Sequence, residues 1–228
     1  MLKMTLHLKL SVNYNNGLTI HNVKSLIHTY LIMSSLKRKK YEFLKFNDHS
    51  INNYSLLPLR YEDIFKIKKW RNDQIHILRQ SKLLNDLDQE NFYQELTKKS
   101  FYNTNPNEIL FSFLLNDVCI GYGGLVYVNW GKKSAEISFI NETKRANQNQ
   151  IYYNDFTTFL SLLFIISFSE LKLDKLTTET YGIRTNTLEI LDKLGFQLKK
   201  IEQEKILINN QKFDSFFHEY LNKFYTMV

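Results

Sequence analysis

The sequence predicts a mixed α+β fold in which helices flank a central, mostly antiparallel β-sheet. Three strand-like segments follow one another over residues 109–140 with short turns between them, which is typical of an antiparallel meander. Helical periodicity dominates the stretches before and after this meander. The 228 residues are 43% hydrophobic with only two prolines, which is enough apolar material for a buried core.

The cysteine content and the motifs narrow the class of protein. Cys119 is the only cysteine, so no internal disulfide framework is possible and a reducing, cytoplasmic location is expected. Within an apolar strand, a single cysteine is more typical of a small core residue than of a catalytic thiol. The signatures of P-loops, zinc proteases and serine hydrolases are missing, and the six histidines are scattered singly, so we predict no metal site.

The net charge of +7 is concentrated near the N-terminus. Residues 1–50 carry eight basic and two acidic side chains, a net +6, which leaves +1 for residues 51–228. A nearly neutral main body argues against a nucleic-acid-binding surface. We therefore divide the chain into a basic N-terminal extension, 1–50, and one domain, 51–228, and expect a chain starting near Asn53 to fold. The helix-like segment 21–33 is too short and too polar to span a membrane.

The domain is predicted to begin with a short strand and two helices. Ile64, Ile67 and Trp70 recur at helical spacing, so Trp70 fits a buried stripe. Asp88 can cap the second helix. Pro106 and its neighbouring asparagines then break the chain before the meander.

The second and third strands of the meander carry its unusual residues. Gly121 and Gly123 fall on the same side of the second strand, which indicates that a backbone or a ligand lies flat against that face. In the third strand, Glu136 shares a face with Ser138. A carboxylate is therefore expected in the middle of the sheet.

After the meander, the sequence predicts a buried helix, a strand, another helix and a closing hairpin. The segment 155–173 holds an apolar run of about ten residues, too short for a membrane and suited to a helix beneath a sheet. A threonine-rich strand, 175–181, precedes a helix that ends at Gly195, where a C-cap glycine belongs. A turn at Asn209–Asn210 joins the last two strands.

This order of elements, together with several sequence segments, resembles the GNAT superfamily of acyl-CoA-dependent N-acetyltransferases. The segments are LRYEDIFKIKKWRND, GYGGL, AEISFI and ILDKLGF, and the resemblance extends over residues 54–221. They are similar to the branch that contains ribosomal-protein and amino-sugar acetyltransferases. More narrowly, WRND, HILRQ, DQENFY and GYGGLVYVNW resemble bacterial members found with surface-polysaccharide biosynthesis.

The resemblance implies a site for acetyl-CoA between two diverging strands. The strand SAEISFI would separate from KLTTETY, and the pantetheine arm would enter the gap and bond to the main chain of Ser138, Phe139 and Ile140. The pyrophosphate would bind amides at the start of the next helix. The other cofactor-binding positions that the resemblance implies are Lys144, Arg145, Asn147, Gln148, Asn149, Arg184 and Thr187.

The sequence departs from the family pattern at this site. The usual Q/R-x-x-G-x-G/A loop is replaced by residues 144–150, which contain no glycine to allow close approach of the backbone. The asparagine that usually opens the last helix falls on Arg184, the serine that follows falls on Thr187, and a tyrosine often used as the acid falls on Leu191. In place of the glycines, Lys144, Arg145 and the main-chain amides of this loop are expected to bind the pyrophosphate.

Transfer of an acetyl group to an amine needs a base for the amine and a donor for the oxyanion, and an acid assists the leaving group. Glu136 is the candidate base, and the alternative is a strand carboxylate that pairs with a neighbouring Lys or Arg. Tyr181 is the candidate acid and Tyr152 its alternative, while packing aromatics are the other interpretation of both. The candidate acceptor-binding residues are Trp70, Arg71 and Asn72.

The sequence therefore predicts an enzyme that transfers an acetyl group from acetyl-CoA to a primary amine. The resemblance implies the amine of a nucleotide-linked amino sugar. Two alternatives stay open: acetylation of protein N-termini, and a non-catalytic relative that binds acyl-CoA or a partner. The expected ligands are acetyl-CoA and a small amine, without metal, nucleic acid or a membrane span.

Overall fold

The computed structural model describes residues 40–225, without the side chains of residues 97, 98 and 224; the helix expected at 21–33 lies outside this range. Eight strands form one sheet. They are β1 (His49–Ile51), β2 (Tyr54–Pro58), β3 (Ile109–Leu115), β4 (Val118–Asn129), β5 (Ser134–Asn141), β6 (Lys175–Tyr181), β7 (Gln197–Ile208) and β8 (Gln211–Leu221). Their order is β1-β2-β3-β4-β5-β6-β8-β7, and only β5 and β6 run parallel.

Helices flank this sheet and interrupt the order of its strands. They are α1 (Ile64–Asp73), α2 (Asp86–Leu96), α3 (Thr143–Ala146), α4 (Asn149–Phe164) and α5 (Thr185–Lys193). The helix α4 continues through a π-helical turn, Ile165–Glu170. The predicted α+β fold, with its mostly antiparallel sheet and flanking helices, is confirmed.

The second helix begins slightly earlier than the sequence indicated. Asn85, rather than Asp88, caps it: the Asn85 side-chain oxygen accepts a hydrogen bond from the Asp88 N–H at 2.8 Å. The Asp88 carboxylate accepts the Asn85 N–H in return at 3.1 Å. This reciprocal pair is a capping box, in which the acidic residue occupies the third helical position.

The glycines of β4 are required by close contacts between backbones. A Cβ atom at Gly123 would lie 2.2 Å from the Ser138 carbonyl oxygen and 2.9 Å from the Phe159 ring. Gly124 has a φ of +152°, and a Cβ there would lie 2.0 Å from the Ile109 carbonyl oxygen. Backbone and aromatic rings, not a ligand, therefore lie against this part of β4.

The parallel pair β5 and β6 stays together for only three residues. Ser134, Ala135 and Glu136 pair with Lys175, Leu176 and Thr177. Beyond this point, β5 continues along β4 to Asn141, while β6 continues along β8 to Tyr181. The two strands consequently diverge and leave a gap between their unpaired edges, as the splayed pair in the predicted fold requires.

The core lies on both faces of the sheet. One face packs against α4, whose Phe156 and Phe159 rings contact Phe139 at centroid distances of 5.2 and 4.3 Å. The other face packs against α1 through Ile64, Ile67 and Trp70, and against α2 through Tyr93 and Leu96.

The segment Asn149–Glu170 has a mean hydropathy of 1.3 and the length of a membrane span, but 61% of its apolar window is buried inside the protein.

Residues 40–50, which the sequence assigned to the extension, contribute to this core. The Tyr41 side chain is 0% exposed and stacks on Phe101 at 4.5 Å. Its hydroxyl donates to the Leu110 carbonyl at 2.7 Å and accepts the Leu110 N–H at 2.8 Å. Leu44 is also buried, and β1 pairs with β2. The division into extension and domain stays a proposal, and we now place its boundary before Tyr41.

This packing reverses our expectation for a shortened chain. A protein that starts at Asn53 loses Tyr41, Leu44 and β1, and each lost apolar side chain contributes about 1.5–3 kcal/mol through burial. We expect its melting temperature to fall by roughly 10 °C or more. A protein that starts at Arg38 keeps Tyr41, Leu44 and β1, and it is the matched control against which the fall is measured. Equal melting temperatures for the two shortened proteins would contradict this assignment.

Candidate active site

A cleft of about 290 Å³ opens where β5 and β6 separate. Its walls are formed by Ile137–Ile140 of β5 and by Thr178–Tyr181 of β6. The segment 77–80, which follows α1, lines another side, and Arg184 and Thr187 contribute from the start of α5. Tyr122 and Tyr127 of β4 and Phe156 of α4 also line it, so the cleft collects residues from widely separated parts of the chain.

The β5 wall contains the three residues predicted to hold the pantetheine arm. Ser138, Phe139 and Ile140 all line the cleft, and the Phe139 ring packs into the core against α4. Beyond Glu136, the edge of β5 that faces β6 has no strand partner. Unpaired main-chain groups at such an edge can bond to an extended ligand as a neighbouring strand would.

The candidate base lies at the point where the strands separate, and it is already paired. Arg79 binds the Glu136 carboxylate through one terminal nitrogen and the Glu179 carboxylate through the other, the latter at 3.2 Å. The two carboxylates are only 18% and 10% exposed, and the Arg79 side chain is 46% exposed. The guanidinium also lies over the Tyr127 ring at 5.7 Å. Arg79 thus bridges the two diverging strands.

The two carboxylates raise the pKa of Arg79 and so stabilise its charged form. Burial alone would lower the pKa of Arg79, but the hydrogen bond with Glu136 and the charge of Glu179 raise it. The interaction expected as the alternative to catalysis, a strand carboxylate paired with a neighbouring arginine, is therefore present. The role of Glu136 as a base stays a prediction.

Tyr181, the candidate acid, lines the cleft at the end of β6. Burial raises the pKa of Tyr181, and the nearby Glu179 charge raises it further. The phenol consequently keeps its proton at neutral pH. Tyr152 is placed differently: its buried hydroxyl lies 2.9 Å from the Thr187 hydroxyl and accepts a hydrogen bond from Arg184 at 3.1 Å.

The glycine-free loop forms the turn between β5 and α4. Lys144 is exposed, whereas Arg145 binds the buried Asp155 carboxylate through two nitrogens at 2.7 and 2.8 Å. Asn147, Gln148 and Asn149 are exposed at the start of α4. This helix begins without a side-chain cap, so its first amides are available to an anion.

A comparison with protein families identifies the chain. Residues 57–217 match the family described as Acetyltransferase (GNAT) domain. The chain belongs to the GNAT family. It is accordingly an acyl-CoA-dependent N-acetyltransferase that uses acetyl-CoA as co-substrate. The sequence has no significant match among curated proteins.

Solved GNAT structures share the fold at low sequence identity. A spermidine N-acetyltransferase from Vibrio cholerae, in complex with CoA and spermine, is 18% identical with a TM-score of 0.66, over 76% of this chain and 98% of that chain. A GNAT-family acetyltransferase from Bacillus anthracis is 14% identical with a TM-score of 0.60, over 77% and 99% of the two chains. At such identities the likeness concerns the fold alone.

The described residues fit the requirements of a GNAT co-substrate. An unpaired strand edge suits the amide-containing arm of CoA, and an uncapped helix start beside exposed Lys144 suits its phosphates. Arg184 and Thr187 stand at the same end of the cleft as the buried Tyr152 hydroxyl. The individual roles of these residues in binding stay predictions.

Several predicted residues lie away from the cleft lining. Trp70 is buried on the inner face of α1, and the Asn72 side chain forms hydrogen bonds with the main chain of Leu84. Of the three acceptor-binding candidates, only Arg71 lines the cleft. Cys119 is buried, which raises the pKa of its thiol and makes it a poor nucleophile. Leu191, in place of the usual tyrosine, packs in the core.

Sequence reasoning missed Arg79 and Glu179. Glu179 could have been found, because it lies two residues before Tyr181 and so shares its face of β6. Arg79 follows α1 in a loop without periodicity, and its partners lie 57 and 100 residues further along the chain. No local signal connects residues so distant in sequence.

The bridge across the cleft should be measurable as coupling between its partners. We expect Arg79→Gln and Glu179→Gln each to lower the free energy of unfolding, and the double variant to lose less than the sum of the two. The expected coupling is about 1 kcal/mol, because the half-exposed guanidinium is partly screened by solvent. Urea unfolding of the four proteins gives this quantity. Strictly additive losses would show that the pair contributes nothing to stability.

Proposed function

We propose that this GNAT enzyme acetylates the primary amine of a small acceptor that carries negative charge, and that a nucleotide-linked amino sugar is that acceptor. The setting that this acceptor implies is surface-polysaccharide biosynthesis in the cytoplasm. The branch resemblance of WRND, HILRQ and DQENFY supports the same assignment.

The charge of the cleft is the observation that carries this proposal. Among the described residues that line it, three are arginines, Arg71, Arg79 and Arg184, and one is a carboxylate, Glu179. Glu136, the other partner of Arg79, adds a second carboxylate where the strands separate, so the arginines exceed the carboxylates by one. An excess of positive charge attracts phosphate groups, and guanidinium groups bind them through paired hydrogen bonds. An acceptor with a diphosphate beside its sugar would complement such a lining.

A polyamine is the second candidate acceptor. The Vibrio cholerae proteins of similar fold are spermidine N-acetyltransferases, and one of them holds spermine. In this chain, the observation that favours a polycation is the pair of carboxylates on Glu136 and Glu179, which already holds one cation, the Arg79 guanidinium. The surrounding arginines oppose a polycation, so we rank this candidate below an anionic acceptor.

The chemistry assigns separate tasks to residues on the two strands. Acetyl-CoA supplies the thioester. Glu136 accepts a proton from the acceptor amine, either directly or through water, once Arg79 has moved away from it. Tyr181 keeps its phenolic proton and can donate it to the departing sulfur. Main-chain N–H groups on the free edge of β5 are suited to hold the oxyanion.

The base can be tested with two carboxylates that share one arginine. Glu136→Gln keeps shape and hydrogen bonding but removes the base, so turnover should fall on the order of 10²–10⁴-fold. Glu179→Gln breaks the same bridge from the other strand and should reduce turnover far less. Initial rates and melting curves on the same preparations separate catalysis from stability. A stable Glu136→Gln protein with unaltered turnover would remove Glu136 from the mechanism.

The acceptor can be identified with a panel of amines of different charge. We expect acetylation of a uridine-diphosphate-linked amino sugar, little acetylation of the free amino sugar, and less still of spermidine, because only the first carries phosphate for the arginines. Release of CoA thiol measures all three, together with a peptide that has a free N-terminus. Preference for spermidine or for the peptide would overturn the proposed acceptor. Binding of acetyl-CoA without turnover on any amine would favour a non-catalytic relative.

A further inference from the structure

The carboxylate of Asp155 is buried and accepts four hydrogen bonds. The residue is 0% exposed. It accepts hydrogen bonds from the Tyr54 hydroxyl at 3.0 Å, from the Asn141 amide at 2.7 Å, and from two nitrogens of Arg145 at 2.7 and 2.8 Å. These donors come from β2, from the last residue of β5 and from α3. One carboxylate in α4 therefore fastens three other elements.

The elements fastened in this way form the turn that leads to the start of α4. Asn141 ends β5, Arg145 lies in α3, and Asp155 lies in the second turn of α4. The Asn141 side chain also accepts the N–H of Glu142 at 3.0 Å. None of residues 142–150 has a positive φ. The turn thus reaches the helix start through ordinary backbone conformations that do not require glycine.

The bidentate ion pair between Arg145 and Asp155 lies within the turn between β5 and α4, where the usual family loop has glycines. Burying an ion pair carries a desolvation cost that can exceed the attraction between the charges, so stability alone does not account for this pair. Here the pair lies between the end of a strand and the start of a helix with uncapped amides. The Arg145 side chain is 21% exposed, while the neighbouring Lys144 is exposed to solvent.

We propose that Arg145 and Asp155 are positioning residues, which hold the turn between β5 and α4 in the shape that binds the phosphates of CoA, and that Lys144 is the cation that contacts them. This inference rests on the co-substrate site described above and not on the identity of the acceptor. In a loop without glycine, the ion pair takes over the task of shaping the backbone around the phosphates.

The alternative is that Arg145 itself contacts phosphate, and the two roles predict opposite effects of one substitution. Asp155→Asn removes the negative charge and loosens the clamp while keeping the shape of the side chain. If Arg145 were a phosphate ligand, its release from Asp155 would leave CoA affinity equal or higher. If the pair positions the turn, the same substitution weakens CoA binding.

Isothermal titration with CoA, well below the melting temperature of each variant, tests this directly. We expect Asp155→Asn to raise the Kd for CoA roughly 10- to 100-fold, as when a hydrogen bond to a charged group is lost. Arg145→Lys keeps the charge but loses the bidentate contact, and should weaken binding in the same direction. Lys144→Gln should weaken it without lowering the melting temperature. Glu142→Gln, a neighbouring acid outside the clamp, is the matched control and should stay within about threefold.

The outcomes separate positioning from simple stabilisation. A folded Asp155→Asn protein with unchanged or tighter CoA binding would overturn the proposal, and so would an Arg145→Lys protein that binds CoA normally. If Asp155→Asn does not fold, Tyr54→Phe replaces it, because this change removes one donor to Asp155 and leaves Arg145 intact; unchanged CoA binding by a folded Tyr54→Phe protein would then overturn the proposal. Because CoA binding needs no acceptor, failure of every amine to react would count against the proposed function and leave this test intact.

Discussion

The short pairing of β5 with β6 is the constraint on which the site depends. After Glu136 the two strands have no bonds to each other, yet each remains fixed by its other neighbour, β5 by β4 and β6 by β8. The gap therefore stays open without collapse of the sheet. Main-chain groups that face it have lost a strand partner, and a ligand with amides can replace that partner.

An arginine and two carboxylates form ion pairs across this gap, and one of the carboxylates is the proposed base. Arg79 holds Glu136 and Glu179, which belong to different strands, and so opposes their separation at the mouth of the cleft. In the proposed mechanism, Glu136 has to release Arg79 before it takes a proton from the acceptor amine. The charge of the acceptor would then affect both binding and catalysis.

Much of the fold could be predicted because its elements have strong local patterns. The meander, the helix α1 with Ile64, Ile67 and Trp70 on its buried face, and the closing hairpin all follow from periodicity and turn residues. The N-terminal boundary could not, because the Tyr41 hydroxyl contacts Leu110, 69 residues away. Residues of the cleft wall such as Ser138 and Ile140 could be predicted because the family resemblance indicated which strand borders the cofactor.

The sequence by itself determined the helices and strands, the glycines of β4 and the family, because apolar spacing and backbone requirements are properties of neighbouring residues. Only the tertiary structure decided which charges meet. It brought Arg79 between Glu136 and Glu179. An ion pair depends on a separation of a few ångströms between atoms from remote segments, and that separation is set by the packing of the whole sheet and its helices.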